Sequence, residues 1–401
     1  MSPMKVCMLT TGFPRFKGDL FGSFILELTK RLVNQNVKVE VIAPHEEGLP
    51  RKEEMEGVIV QRFRYLLPTS WQRVAYGGGI PTNISKSWVA RFQVVFFLFG
   101  FWLKALGEIR NCDLVHCHWT ISGLVAYCAT RLWRRPIVLS VRGSDIHLLE
   151  GGMMRWINGK IYEWMDVVVA VSEDIGEKLA GIGVEREKIR VVYNGVDEPF
   201  QPGDKKRARE GLGLPHNRFT VLFVGLLVPI KGLEVLLEAV HQVDDERLLC
   251  ILVGDGTLRE CLEKQANETG LEGQVLFAGS RSSQEIPVWM NAADLLVLPS
   301  FSEGRPNVVL EAQACGLPVL ATRVGGTPEL VTDGSDGLLV DSGDTRQLAD
   351  GIITLMSDES YRRQLGRGGR ESIQKRGLTW EASALRIKEI YQEVRCQYSR
   401  R

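Results

Sequence analysis

At 401 residues the chain is longer than one hydrophobic core usually organises, so two domains of roughly 200 residues each are expected. Its 49 Lys and Arg equal its 49 Asp and Glu, so no overall field gathers nucleic acid, and nucleic-acid binding is not expected. The eight cysteines (7, 112, 117, 128, 250, 261, 315 and 396) form no C-x-x-C pair and several sit in apolar runs, which fits a reducing cytoplasm.

In chain order, the first ten residues read as a short strand without a basic stretch or long apolar core, so no signal peptide is expected. Short β-branched runs follow at 5–10, 37–43, 114–118, 137–141, 167–172 and 189–193, separated by longer helical patterns. Each run is mostly continuous in its apolar character, as strands are when helices cover both faces of a parallel sheet. The most lipid-like segment, 92–106 (FQVVFFLFGFWLKAL), is interrupted by Gln93 and Lys104 and preceded by Arg91. Its apolar part is about half of the roughly 20 residues a bilayer span needs, so it is not expected to span. It reads either as a buried or dimer-contact helix or as a helix resting on the inner face of a membrane beside a lipid acceptor.

After Asn194-Gly195-Val196-Asp197, the Pro- and Gly-rich stretch 198–204 reads as a linker. A second strand series then runs at 220–225, 248–254, 274–278, 295–299, 318–322 and 337–340. Two such series imply two doubly wound α/β domains, with boundaries expected at 1–200 and 201–378, and a last helix at 379–401. Ligands of such sheets bind beyond the carboxyl ends of the strands, and a cleft between the domains is the expected site.

The richest segment follows the strand at 295–299. Pro306 suits the first turn of a helix that Gly316 and Pro318 end, which places Glu303 and Gly304 in the loop before it. The amides of Asn307, Val308 and Val309 then point outward with the positive end of the helix dipole, where a diphosphate binds readily. Glu311 lies among Val308, Leu310, Ala312 and Cys315; a carboxylate there is costly unless bound, and paired ribose hydroxyls would bind it without a metal. Taken alone, both glutamates also read as surface charges flanking an ordinary helix. Lys231, beside Gly232 after the strand at 220–225, is placed as a point charge for phosphate, or is an ordinary surface lysine.

In the first half, His116 and His118 face one side of a strand end. No acidic or cysteine partner stands at ligand spacing, so no metal site is expected. Asp145, in Arg142-Gly143-Ser144-Asp145, reads as an acceptor contact or a helix N-cap. The loop 12–22 (GFPRFKGDLFG) lets backbone approach a ligand through Gly18 or Gly22. No D-x-D, no G-x-x-x-x-G-K-[ST] and no full dinucleotide fingerprint occurs, since Gly254-Asp255-Gly256 lacks the third glycine.

The segment 300–340 closely resembles the donor-binding region of glycosyltransferase family 4, in which E-G-x-x-N/G-x-x-x-E runs into C-G-x-P-V-x-A-T-x-x-G-G. Here it stands as Glu303-Gly304 to Glu311, Cys315-Gly316-Leu317-Pro318-Val319-Leu320-Ala321-Thr322, and Gly325-Gly326-Thr327-Pro328-Glu329. Gly254-Asp255-Gly256, Ala292-Ala293-Asp294, Val171-Ser172-Glu173 and Asn194-Gly195-Val196-Asp197 extend the resemblance over nearly the full length. It implies the B-type glycosyltransferase fold (GT-B): two Rossmann-like domains, acceptor side first, nucleotide-sugar donor side second, and a C-terminal helix returning to the first.

The resemblance further implies a metal-independent, retaining transfer of sugar from a UDP- or GDP-sugar to a sugar or lipid-linked acceptor in polysaccharide or glycolipid assembly. The nucleotide sugar is a co-substrate and no resident cofactor is expected. Glu303 would contact the donor sugar, Glu311 the ribose, Lys231 the diphosphate and His118 the donor sugar, with Gly225, Gly254 and the loop glycines allowing close approach. Two positions depart from the family: Leu226 stands where an Arg usually follows Gly225, and Arg142 where a His is usual. Losing the first cation costs about 1–3 kcal/mol of leaving-group stabilisation unless Arg281 or Arg305 compensates. The competing readings are a sugar-nucleotide epimerase or a phosphorylase on the same fold, and a sugar-nucleotide-binding protein without catalysis.

Overall fold

The computed structural model describes residues 3–19, 21–77, 79–143, 145 and 152–399; Ser144 of the R-G-S-D segment and Leu20 of the 12–22 loop lie outside the described residues. The chain divides into two compact units, Met1–Asn194 with Trp380–Arg401, and Gly195–Thr379. The division falls six residues before the expected 200/201 boundary.

Unit 1 is built on strands β1 (Met4–Leu9), β2 (Val37–Pro44), β3 (Lys52–Met55), β4 (Val58–Phe63), β5 (Leu114–His118), β6 (Ile137–Val141), β7 (Val167–Ala170) and β8 (Ile189–Val191), in the order β3-β4-β2-β1-β5-β6-β7-β8. All neighbours are parallel except β3 and β4. The sequence reading missed this hairpin, whose signal is Glu56-Gly57, both at positive φ (52° and 83°) as a two-residue type I′ turn requires. Every residue of β5 and β6 is buried, because helices cover both faces.

On one face pack α3 (Trp88–Ile109), α4 (Thr120–Trp133), α5 (Gly152–Glu163) and α6 (Glu173–Gly181). On the other lie α1 (Ser23–Asn34) and the returning helix α14 (Trp380–Ser399), whose Trp380, Ile387, Ile390, Tyr391 and Val394 join the core of Val6, Met8, Ile25 and Leu32. Helix α2 (Ile80–Lys86) precedes α3.

At 22 residues α3 is longer than the 92–106 segment, and long and apolar enough to cross a membrane by length and composition. Its Ala90, Gln93, Phe97, Phe101, Ala105 and Ile109 are buried on one stripe, so the helix is a wall of this unit's core. Trp88, Phe92, Val95, Phe96, Phe99 and Leu103 occupy the opposite face, exposed.

Unit 2 carries β9 (Phe219–Val224), β10 (Leu248–Val253), β11 (Val275–Gly279), β12 (Leu295–Leu298), β13 (Val319–Thr322) and β14 (Leu338–Val340), all parallel, in the order β11-β10-β9-β12-β13-β14. Helices α7 (Lys205–Leu212), α8 (Leu233–Val243), α9 (Arg259–Glu268), α10 (Ile286–Ala292), α11 (Asn307–Ala314), α12 (Thr345–Ser357) and α13 (Glu359–Arg376) connect and cover them. Their starts follow side-chain caps: Asp204 accepts from Arg207 N (3.0 Å), Asp344 from Gln347 N (2.9 Å) and Asp358 from Tyr361 N (2.9 Å).

In each sheet the chain winds outward from a central strand and then jumps back to its other side. The switch lies between β1 and β5 in unit 1 and between β9 and β12 in unit 2. Loops leaving these strands at their carboxyl ends diverge and open a crevice, which is where doubly wound sheets bind ligands.

Candidate functional site

In unit 2 the two switch-point loops carry the residues singled out from sequence. After β9 the chain makes a 3₁₀ turn, Pro229–Lys231, and then Gly232 at φ 64°. A Cβ there would lie 2.2 Å from the Pro299 carbonyl oxygen after β12, so only glycine lets the two loops touch. Gly325, at φ 51°, is the same device: a Cβ would lie 1.8 Å from the Glu303 carbonyl oxygen.

Across that contact Lys231 Nζ meets Glu303 Oε1 at 2.5 Å, and Ser300 Oγ donates to the same oxygen at 2.6 Å. Sequence reading gave these two charges separate ligand contacts; the structure pairs them with each other. The partnership spans 72 positions and leaves no local signal.

Helix α11 starts at Asn307, with Pro306 as N-cap in extended conformation and Gly304 carbonyl accepting from Gly326 N (3.0 Å). Of the three amides expected to face a ligand, Val309 N–H is spent on Pro306 carbonyl at 3.2 Å. Asn307 and Val308, half-buried, open the first turn of the helix. Glu311 is half-buried and its carboxyl has no hydrogen-bond donor among the described residues. Burial and the nearby charge of Asp197 push its pKa from 4.5 up to about 7.

Gly225 and Gly254 lie at the ends of β9 and β10, their amides bonded to Val253 and Gly279 carbonyls (3.0 and 2.9 Å). Leu226 is exposed. Arg281 is held locally: its guanidinium donates to Ala278 carbonyl (2.8 Å), lies 5.5 Å from the Trp289 ring centroid and 3.8 Å from Glu285. Arg305, its alternative, is buried.

In unit 1 the same logic operates at β1 and β5. Gly18 and Gly22 both take positive φ (91° and 75°), and Gly22 caps α1. Asp19 ties the loop by accepting from Arg15 N (3.0 Å), Arg15 Nε (2.7 Å) and Phe21 N (3.1 Å), which the sequence alone did not reveal. His116 is fully buried between Tyr391 Oη (2.6 Å) and Ser140 Oγ (2.8 Å), so both ring nitrogens are engaged and burial lowers its pKa to about 3. His118, its ring 4.5 Å from that of His116, is also fully buried, but neither nitrogen has a partner among the described residues. Burial and the charge of Arg142 hold its pKa well below the usual value, so the ring is neutral at physiological pH.

Trp119 then adopts φ 67°, ψ 149°, a conformation costing of order 1–3 kcal/mol for a bulky residue and typical of functional turns. Asp145 is buried and accepts from Thr120 N, Thr120 Oγ1 and Arg142 N, each at 2.9 Å. It pins the start of α4 to the end of β6, a third role beside the two read from sequence. Among the described residues no cluster of three or more His, Cys, Asp or Glu side chains forms a metal site.

A family model of group 1 glycosyl transferases matches residues 204–372, and one of Glycosyltransferase Family 4 matches residues 22–199. A D-inositol 3-phosphate glycosyltransferase of Streptomyces avermitilis is 32% identical over 96% of this chain and 85% of its own. A protein of the same description from Corynebacterium efficiens is 33% identical over 70% and 71%. Among solved structures, a sucrose-phosphate synthase of Thermosynechococcus elongatus superposes with TM-score 0.83 at 24% identity over 97% and 98% of the two chains. Anabaena HepE, in complex with UDP and glucose, gives 0.78 at 22% over 97% and 99%. The paired doubly wound units are thus those of the B-type glycosyltransferase fold. The chain belongs to glycosyltransferase family 4.

Proposed function

We propose that the protein is a metal-independent, retaining glycosyltransferase that moves a sugar from a UDP- or GDP-sugar to a hydroxyl of a sugar or lipid-linked acceptor, in polysaccharide or glycolipid assembly. The observation that carries this reading is the switch point of unit 2, where Lys231, Glu303 and the start of α11 converge. Support also comes from HepE, solved with UDP and with UDP-glucose.

On this reading the donor diphosphate takes Lys231 from Glu303, and the ammonium together with the Asn307 and Val308 amides carries the negative charge that grows as the sugar–phosphate bond breaks. These fixed positive groups supply the role a divalent ion otherwise fills. Glu303, released, accepts hydrogen bonds from donor-sugar hydroxyls, and Glu311 accepts from the ribose. The acceptor oxygen bonds to the anomeric carbon on the face the phosphate leaves, and its proton passes to the departing phosphate oxygen. No enzymic nucleophile is needed, and His118, neutral and buried with unmet nitrogens, serves the donor sugar as a hydrogen-bond partner. Lipid-linked acceptors fit the outer face of α3, whose six large apolar side chains suit contact with the inner surface of a membrane in the cytoplasm.

Thermal-shift titration with UDP-, GDP- and ADP-glucose identifies the donor base, and the anomeric configuration of the product tests retention. Consumption of donor without any acceptor supports the epimerase reading and sinks this one.

A further inference from the structure

We propose that Arg142, where the family usually has His, binds an anionic group, a phosphate or a carboxylate, carried by the acceptor. The proposal rests on the glycosyl-transfer reading above. Arg142 leaves the carboxyl end of β6, next to switch strand β5. Its guanidinium carbon lies 3.7 Å from the centroid of the Phe24 ring, and Phe24 is in turn set by the edge of Trp119 at 5.8 Å. The stack fixes the plane of the guanidinium, and Arg142 Nε is buried without a partner among the described residues.

The one described carboxylate whose charge favours the Arg142 cation is Asp145, and none of its hydrogen bonds goes to the guanidinium. Asp145, the nearest acid in sequence, spends both oxygens on Thr120 and on the Arg142 backbone amide. The two histidines nearby are held neutral and offer no negative charge. Burial lowers the Arg142 pKa to about 9 against the opposing charge of Asp145, so the half-buried side chain stays cationic at neutral pH. Charges withdrawn from water in folded proteins are ordinarily paired.

On the neighbouring strand β5, His118 is close enough to feel the charge of Arg142 and is fully buried with both ring nitrogens unmet. A planar, fixed donor fork beside neutral donors matches a phosphate or carboxylate and gives no advantage to an uncharged sugar. The acceptor is assigned as the source because the donor's own phosphates are already taken by Lys231 and the start of α11 in the proposed reaction.

The test is calorimetric titration of the full chain with inorganic phosphate, both free and after saturation with UDP, which occupies the phosphate groups of unit 2. Wild type should bind one phosphate beside UDP. Arg142→Gln should weaken that phosphate at least tenfold, Arg142→Lys less, and UDP affinity should be the same in all three. Glucuronate in place of phosphate distinguishes the two anions. Equal phosphate affinity in wild type and Arg142→Gln, or no phosphate binding by wild type in either state, overturns the proposal. Failure of wild type to bind any nucleotide overturns the glycosyl-transfer reading instead. If Arg142→Gln does not fold, Phe24→Leu gives the same readout, because it removes the stack and keeps the charge; undiminished phosphate binding there also overturns it.

Discussion

Replacing Glu311 by Gln should make the protein more stable and a worse binder of its donor. In the folded chain the carboxyl pKa is raised from 4.5 to about 7 by burial and by Asp197. The folded state therefore holds this proton over a range in which the unfolded chain has released it. Stability from this group is complete below about pH 4.5, falls as pH rises, and is lost above about pH 7. The shift is worth about 3 kcal/mol, and the part of the side chain still exposed reduces that figure.

Glutamine is neutral throughout, so Glu311→Gln should match wild type near pH 4.5 and exceed it by up to about 3 kcal/mol at pH 8. Urea melts at the two pH values read the difference. Binding should move the other way, because a carboxylate accepting from ribose hydroxyls is worth about 1.5–3 kcal/mol, roughly 10- to 150-fold in the Kd for the nucleotide. A variant that is no more stable at pH 8, or that binds UDP and GDP as wild type does, refutes the reasoning.

Other outcomes follow from the same geometry. Glu303→Ala removes the partner of Lys231 and the proposed sugar contact, so nucleotide release with acceptor should fall by about 100-fold or more while circular dichroism is unchanged. Asp145→Asn exchanges an acceptor of three internal hydrogen bonds for an amide with one acceptor oxygen; denaturant melts should show a loss of about 2 kcal/mol. Phe92→Asp with Phe99→Asp alters side chains 68% and 56% exposed, so stability should stay within about 1 kcal/mol while flotation with anionic vesicles is lost.

The strand pattern was legible because it is local. Continuous apolar runs placed β5 and β6 at their observed limits and most others within two residues, and Gly316 follows the end of α11 as read, while Pro306, read into its first turn, is the N-cap one residue before it. The β3–β4 hairpin escaped because its strands are short and charged, with only Glu56-Gly57 to mark it. At the site, residue types and spacing left Glu303, Glu311 and Lys231 readable as surface charges, and it was the family resemblance that singled them out together with His118. Their partners were not legible: Lys231 with Glu303, Asp145 with Thr120 and His116 with Tyr391 are made across 72, 25 and 275 positions. Such pairings depend on which loops the strand order brings together, and the left-handed turn at Trp119 is a product of that packing rather than of its own propensity.

Because Tyr391 supplies the oxygen that holds His116, and α14 fills one side of the β1–β5 core, unit 1 is assembled from segments on either side of unit 2. During translation the interposed unit has all its strands before the earlier one is complete. The half that begins first is then the half that finishes last, waiting with an open apolar seam along Val6, Met8 and Ile25 until Trp380 and its neighbours emerge. Nascent chains halted before that point should be protease-resistant in the later half and recruit chaperones to the earlier one.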